Sequence, residues 1–171
     1  GVKFTYWAFA KEQMMVDLWD YAEERKQDKT GKAKTVWNRT LCYHWFHLLL
    51  DTGIRPFPNI PFSFEDLDQQ GNHMSFWRDE KYLGEYRAQG AEDAVEAFNT
   101  LRLMYQRQGF KPIHILSNKD GNKATSINLM LSRWLRGAGW KETDSVGRAY
   151  VAHSIRKYHI TTACHYTGED K

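Results

Sequence analysis

The segment from Thr35 to Asp51 is apolar nearly all round, with Trp45, Phe46, Leu48, Leu49 and Leu50 interrupting every polar stripe. A helix of this composition has no side to give to water. The pattern therefore predicts a central helix over 35–51, around which the rest of the chain has to pack. Gly53 supplies a stop just past it. Three prolines, Pro56, Pro58 and Pro61, follow at once. They remove amide donors and fix backbone angles, so regular helix cannot resume directly after Arg55.

The other segments read as partners for that helix. From Lys11 to Gln27, Met14, Met15, Leu18, Trp19 and Ala22 form one apolar stripe between charges, which predicts an amphipathic helix. The basic stretch from Lys26 to Lys34 reads as a loop. The turn signal Gln69-Gln70-Gly71-Asn72 precedes His73 to Arg78 and then Lys81 to Arg87, whose aromatic residues predict a short antiparallel hairpin. Helical spacing returns from Ala91 to Gln108 and stops at Gly109. Ile113 to Leu116 reads as a small strand and Asn118-Lys119-Asp120-Gly121 as a turn. Thr125 or Ser126 is placed to cap a helix carrying Leu129, Leu131, Trp134 and Leu135, which Gly137 and Gly139 close. A last helix runs from Tyr150 to Tyr166 with Ile155, Tyr158 and Thr162 near one face. The expected fold class is mainly α with a small antiparallel β-sheet (α+β), in one domain over 1–171. No βαβ alternation suggests a parallel nucleotide-binding sheet.

Composition narrows the setting without naming a function. The 171 residues are 42% hydrophobic, enough to bury one core. No stretch approaches the roughly 18 uncharged apolar residues that a membrane-spanning helix needs, so no membrane is expected among the partners. The first residues lack the basic segment and apolar core of a secretory signal, and the missing Met suggests a fragment or a processed chain. Cys42 and Cys164 carry no disulfide spacing, which fits a reducing, cytoplasmic compartment. A formal net charge of +3 permits a polyanionic partner but does not decide for DNA.

Two arginines stand in unusual settings, Arg55 where the buried helix breaks into prolines and Arg156 one helical turn after His153. The phrase Leu48-Leu-Leu-Asp-Thr-Gly-Ile-Arg55, with Asp66 and Asp68 lying 11 and 13 positions on, resembles the first arginine box of tyrosine recombinases and phage-type integrases. His153-Ser-Ile-Arg156, whose histidine lies 98 residues after Arg55, resembles the second box, with Thr161 and Thr162 near its small-residue positions. The stretch from Ile115 to Gly121 and the helix ending in Gly137-Ala-Gly-Trp140 resemble the segment that precedes that box, so the likeness covers nearly the whole chain.

The resemblance implies a tyrosine-recombinase-like catalytic domain and the catalytic set Arg55, Lys81, His153 and Arg156. Lys81 is assigned through its place in the predicted hairpin, where an ordinary exposed lysine would look the same. The chain departs from the family at Pro58, where an acidic residue is usual. It departs again at Lys157-Tyr158-His159-Ile160, where an aromatic and polar run is usual. The nucleophilic tyrosine of the family lies well beyond the second arginine, and this chain has 15 residues after Arg156. The expectation is therefore a domain without the tyrosine-bearing segment and without the DNA-binding domain that would precede it. Tyr166 falls inside the same predicted helix as Arg156, at a fixed distance from it, and is not taken as the nucleophile.

Metal-free cleavage of a phosphodiester needs positive groups aimed at the charge building on the phosphate oxygens. Two guanidiniums supply that charge in a planar fork that fits phosphate. Arg55 and Arg156 are thus expected to clamp the scissile phosphate, His153 to assist proton transfer, and Lys81 to protonate the departing 5′ oxygen as a 3′-phosphotyrosyl bond forms. The implied partners are double-stranded DNA and, in the full-length protein, further copies on that DNA. Neither a metal nor a nucleotide cofactor is implied. Integrase, resolvase and topoisomerase-like roles remain open. Two rivals stand beside this reading: a DNA-binding regulator that kept the fold and lost catalysis, and a hydrolase with zinc on Cys42, His44, His47, Cys164 and His165. The histidines share a buried helix with Trp45 and Phe46 and lack the short paired spacing of zinc sites, so they read as core, and no metal is assigned. Aromatic stretches such as Phe76-Trp77 also read as core before DNA contact.

Overall fold

The computed structural model describes residues 7–54, 56, 64, 67–70, 73–78, 84–88 and 92–166; for the strands and for residues 163–166 the description is of backbone alone. Five helices dominate it: α1 (Glu12–Gln27), α2 (Ala33–Thr52), α3 (Glu92–Gln108), α4 (Ile127–Gly137) and α5 (Ala152–Tyr166). Between α2 and α3 lie β1 (Leu67–Gln70), β2 (His73–Arg78) and β3 (Gly84–Ala88) in antiparallel order β1-β2-β3, with Leu67 opposite Phe76 and Phe76 opposite Tyr86. No described helix is long and apolar enough to cross a membrane.

The helix that is apolar all round is the hub. α1, α3, α4 and α5 all pack on α2. Its residues from Leu41 to Leu49 are buried without a break, which is the environment its composition demanded. Around it Leu18 of α1, Phe98 and Leu101 of α3, Leu131 and Leu135 of α4 and Ile155 of α5 are fully enclosed.

Large aromatic rings close this core and use their polar atoms to tie elements together. Trp37 donates its indole N–H to the Ser117 carbonyl at 2.9 Å, and Trp140 donates to the Met14 carbonyl at 2.8 Å. A buried indole that kept its N–H unpaired would carry a desolvation cost on the order of 1–3 kcal/mol, so such rings settle where a backbone acceptor waits.

The structure departs from the sequence reading between α3 and α4. In place of a strand at Ile113 to Leu116 there are isolated bridges, Ser117 opposite Lys123 among them. The buried hydroxyl of Tyr105 explains this. It donates to the Ile115 carbonyl and accepts the Ser117 N–H at 3.0 Å, so a side chain has taken the backbone groups a strand would have paired. The sheet differs as well: the described backbone has a third strand, β1; of the strand expected over Lys81 to Arg87, Gly84 to Arg87 fall within β3, and Lys81 to Leu83 lie outside the described residues.

Candidate functional site

An α-helix leaves its last carbonyls without intrahelical partners. At the end of α2 those of Leu49 and Leu50 are met, and the Thr52 side chain folds back onto the turn before them. The Leu48 carbonyl accepts the Thr52 hydroxyl at 2.5 Å, the Leu49 carbonyl accepts the Gly53 N–H at 2.9 Å, and the Leu50 carbonyl accepts the Nδ1–H of His159 at 2.7 Å. One residue past the helix, the Gly53 carbonyl accepts a bond from the Arg156 guanidinium at 2.6 Å. Arg156 and His159 stand three residues apart on α5, hence on one face of it, and together they fasten α5 across the end of α2. A cation at this position also complements the partial negative charge of the helix C-terminus.

Gly53 makes that approach possible. Its φ of 67° is left-handed, and a Cβ there would lie 2.3 Å from Cδ2 of His159. No side chain fits both constraints, so the chain can leave α2 in this direction, with α5 this close, only through glycine.

The backbone is also held on the far side of Arg55. Asn128, in the first turn of α4, accepts the indole N–H of Trp45 at 2.7 Å and donates to the Pro56 carbonyl at 3.1 Å. The residues flanking position 55 are thus tied to α5 through Gly53 and to α4 through Pro56. Ile54 and Pro56 are themselves buried.

Of the expected site residues, His153 and Arg156 are described, whereas Arg55, Lys81 and Asp66 lie outside the described residues. Asp68 is part of β1, with its backbone opposite Ser75. His153 is half-buried and lies flat against Trp7, with ring centroids 4.9 Å apart and an interplanar angle of 6°. Thr161 is exposed, and Thr162 donates to the Tyr158 carbonyl of its own helix at 2.8 Å. α5 runs unbroken to Tyr166, which puts that residue's backbone about 15 Å along the axis from Arg156 at the helical rise per residue. Sequence reasoning missed Asn128, Trp7 and His159. Of these only His159 left a signal, because it belongs to the stretch that departs from the family pattern and is spaced one turn after Arg156.

A second basic feature lies at the opposite end of α2. Lys34 and Asn38 face the turn at Asn118, Lys119 and Asp120 and the segment Lys123 to Ser126 that leads into α4 across a cavity of about 140 Å³. Three lysines and one aspartate line it. Among the described residues no three His, Cys, Asp or Glu side chains gather closely enough to hold a metal ion.

This arrangement of helices around α2 is the tyrosine-recombinase fold. Among solved structures, the XerH site-specific recombinase bound to its difH substrate in a pre-cleavage complex superposes with a TM-score of 0.67 at 12% identity, covering 94% of this chain and 43% of that one. XerA recombinase matches with a TM-score of 0.65 at 15% identity, covering 98% and 53%. A lambda integrase tetramer bound to a Holliday junction matches with a TM-score of 0.60 at 10% identity, covering 96% and 44%. The chain spans about half the length of these proteins. By sequence, no family model and no curated protein matches it.

Proposed function

We propose that this chain carries the phosphate-binding part of a DNA strand-cleaving and rejoining site and serves in site-specific recombination on double-stranded DNA. The observation that carries the reading is the 2.6 Å bond from Arg156 to the Gly53 carbonyl. It seats the second arginine box against backbone two residues before the first, in a fold whose solved relatives include recombinases captured on DNA. The lysine-lined cavity at the other end of α2 supports a polyanionic partner.

In this reading Arg55 and Arg156 hold the non-bridging oxygens of one phosphate. A tyrosine hydroxyl attacks the phosphorus, the bond to the 5′ oxygen breaks, and Lys81 delivers a proton to that oxygen while His153 assists the proton transfers. The phosphodiester is exchanged for a 3′-phosphotyrosyl bond, so its energy is kept for rejoining and neither oxidant nor nucleotide is consumed. Tyr166 is not assigned the attack, because it shares the rigid α5 with Arg156 about three turns away. Several copies act together on the DNA, as the lambda integrase tetramer does on its junction.

The test is a nicked suicide duplex incubated with the full-length protein that contains this domain. A covalent protein–DNA adduct is expected, formed equally in EDTA and lost in Arg55→Ala and Arg156→Ala. Arg156→Lys keeps a donor for Gly53 but not the planar fork, and is expected to fold while slowing adduct formation by at least about tenfold, the cost of one bidentate charged contact. An adduct that persists in both alanine variants refutes the clamp.

A further inference from the structure

The short strap that precedes α1 is bound to the start of α5 more closely than a passing segment needs to be. Trp7 bridges in parallel to Ala149, and the Ala8 N–H donates to the Ala149 carbonyl at 2.8 Å. Ala8 is fully buried. The Lys157 ammonium donates to the Trp7 carbonyl and also lies 4.2 Å from the centre of the Phe9 ring. Arg148 approaches the same ring at 5.6 Å while Asp144 holds it at 2.6 Å. The loop carrying Ala149 feeds directly into α5, whose first turn is set by the Val151 N–H donating to the buried Ser154 hydroxyl at 3.2 Å. Strap, loop and helix start are one hydrogen-bonded unit, and its outcome is the indole of Trp7 lying parallel to the imidazole of His153.

An imidazole on a helix surface turns broadly about its second side-chain torsion. A parallel indole narrows that freedom and favours the ring plane parallel to its own. We propose that Trp7 is a positioning residue for His153, so that the seating of the strap at residues 7–9 sets the histidine's ring plane at the phosphate site. This rests on the reading of His153 given above. It adds that the site is completed by a residue 146 positions away, on the segment through which anything preceding α1 would pull. Lys157, one of the residues that breaks the family pattern, is the clamp that holds the strap down.

Two measurements test it together. In the 171-residue chain, the ring-proton resonances of His153, assigned by their loss in His153→Gln, are expected upfield of an exposed histidine because of the stacked indole. Trp7→Leu abolishes that displacement and Trp7→Phe retains part of it. In the full-length protein, Trp7→Leu slows adduct formation on the nicked duplex by about threefold, the size expected for one aromatic stack. Trp7→Phe restores the rate, and Trp7→Leu has no further effect in a His153→Gln background. Unmoved His153 resonances in Trp7→Leu overturn the proposal, as does an equal slowing with and without His153. If the unsubstituted protein forms no adduct while the resonances still move, the strand-cleavage reading has failed and the role of Trp7 falls with it. If the adduct forms and Trp7→Leu leaves its rate unchanged, the role of Trp7 alone has failed.

Discussion

Two pairs of histidines, each carried by one helix, occupy opposite environments. His44 and His47 of α2 lie among aromatic rings, His44 against Tyr43 and His47 against Phe46 and Trp19 of α1, whose ring is only 4.3 Å away. Both are buried, and among the described residues the Nε2 atom of neither has a hydrogen-bond partner. Burial is the chief cause that lowers the pKa of each, to about 4 for His44, with Lys26 working in the same direction; for His47 the carboxylates of Asp93 and Glu23 partly oppose it. His153 and His159 of α5 are half-buried and engaged, one stacked on Trp7 and the other bonded to the Leu50 carbonyl. The residue type is the same in all four. The difference lies in what faces each ring: hydrocarbon that keeps the first pair neutral, and polar backbone or a flat aromatic face that gives the second pair a direction.

The sharpest way to break this contrast is to push His159 out of its place. Gly53→Ala puts a methyl group on a left-handed backbone and against the His159 ring. Backbone strain on the order of 1–3 kcal/mol adds to the loss of the Leu50 hydrogen bond, for a total of about 4 kcal/mol. Urea unfolding should show it. The same substitution in a His159→Ala background should cost markedly less than in the parent, since only the strain remains. Equal costs in both backgrounds would mean that His159 does not hold the end of α2.

The next effect separates the pairs by pH. The folded pKa of His44, about 4, lies below its ordinary 6.5, so between those values the unfolded chain binds the proton that the native one refuses. Stability is then full above pH 6.5 and falls as pH drops towards 4, by about 3 kcal/mol for this residue. His44→Leu should flatten that fall without cost at pH 7, because it also removes an unpaired buried nitrogen. An unchanged acid slope in His44→Leu would place the titration elsewhere.

How much of this was legible follows from the range of each interaction. α2 could be read because its burial is written in its own residues, and Gly53 because a helix stop is local. The sheet was read as two strands, since Leu67-Asp68-Gln69-Gln70 has none of the β-branched or aromatic residues that mark a strand; its pairing comes from β2. Ile113 to Leu116 looked like a strand until Tyr105 took its backbone groups. At the site, Arg55 and Arg156 stood out only through their resemblance to a family pattern. His159 reaches Leu50 across 109 positions and Asn128 reaches Pro56 across 72, and no local spacing announces either. The histidines of α2 were assigned to the core from their company, Trp45 and Phe46, which is the same argument the structure makes with distances.

Asp51, near the end of α2, feels His159 of the second pair and gives the smallest and most discriminating effect. Its carboxylate accepts the Ala94 N–H at 3.0 Å, capping α3, while His159 lies near enough to favour its charge. Burial, with the charge of the Asp93 carboxylate working in the same direction, outweighs both and raises its pKa above the ordinary 3.8. The sign is therefore opposite to that of His44: the native state holds the proton more tightly, so ionised Asp51 weakens the fold at neutral pH and that penalty is relieved as pH falls towards 3.8. Asp51→Asn keeps the acceptor and removes the buried charge, so it should match or slightly exceed the parent at pH 7 and lose that advantage in acid. Asp51→Ala, which removes the cap, should cost about 1 kcal/mol. Urea midpoints of the two variants at pH 7 and pH 4 decide the matter. If Asn is as costly as Ala, the ionised carboxylate is needed where it sits, and His159 contributes more to the end of α2 than its hydrogen bond to Leu50 indicates.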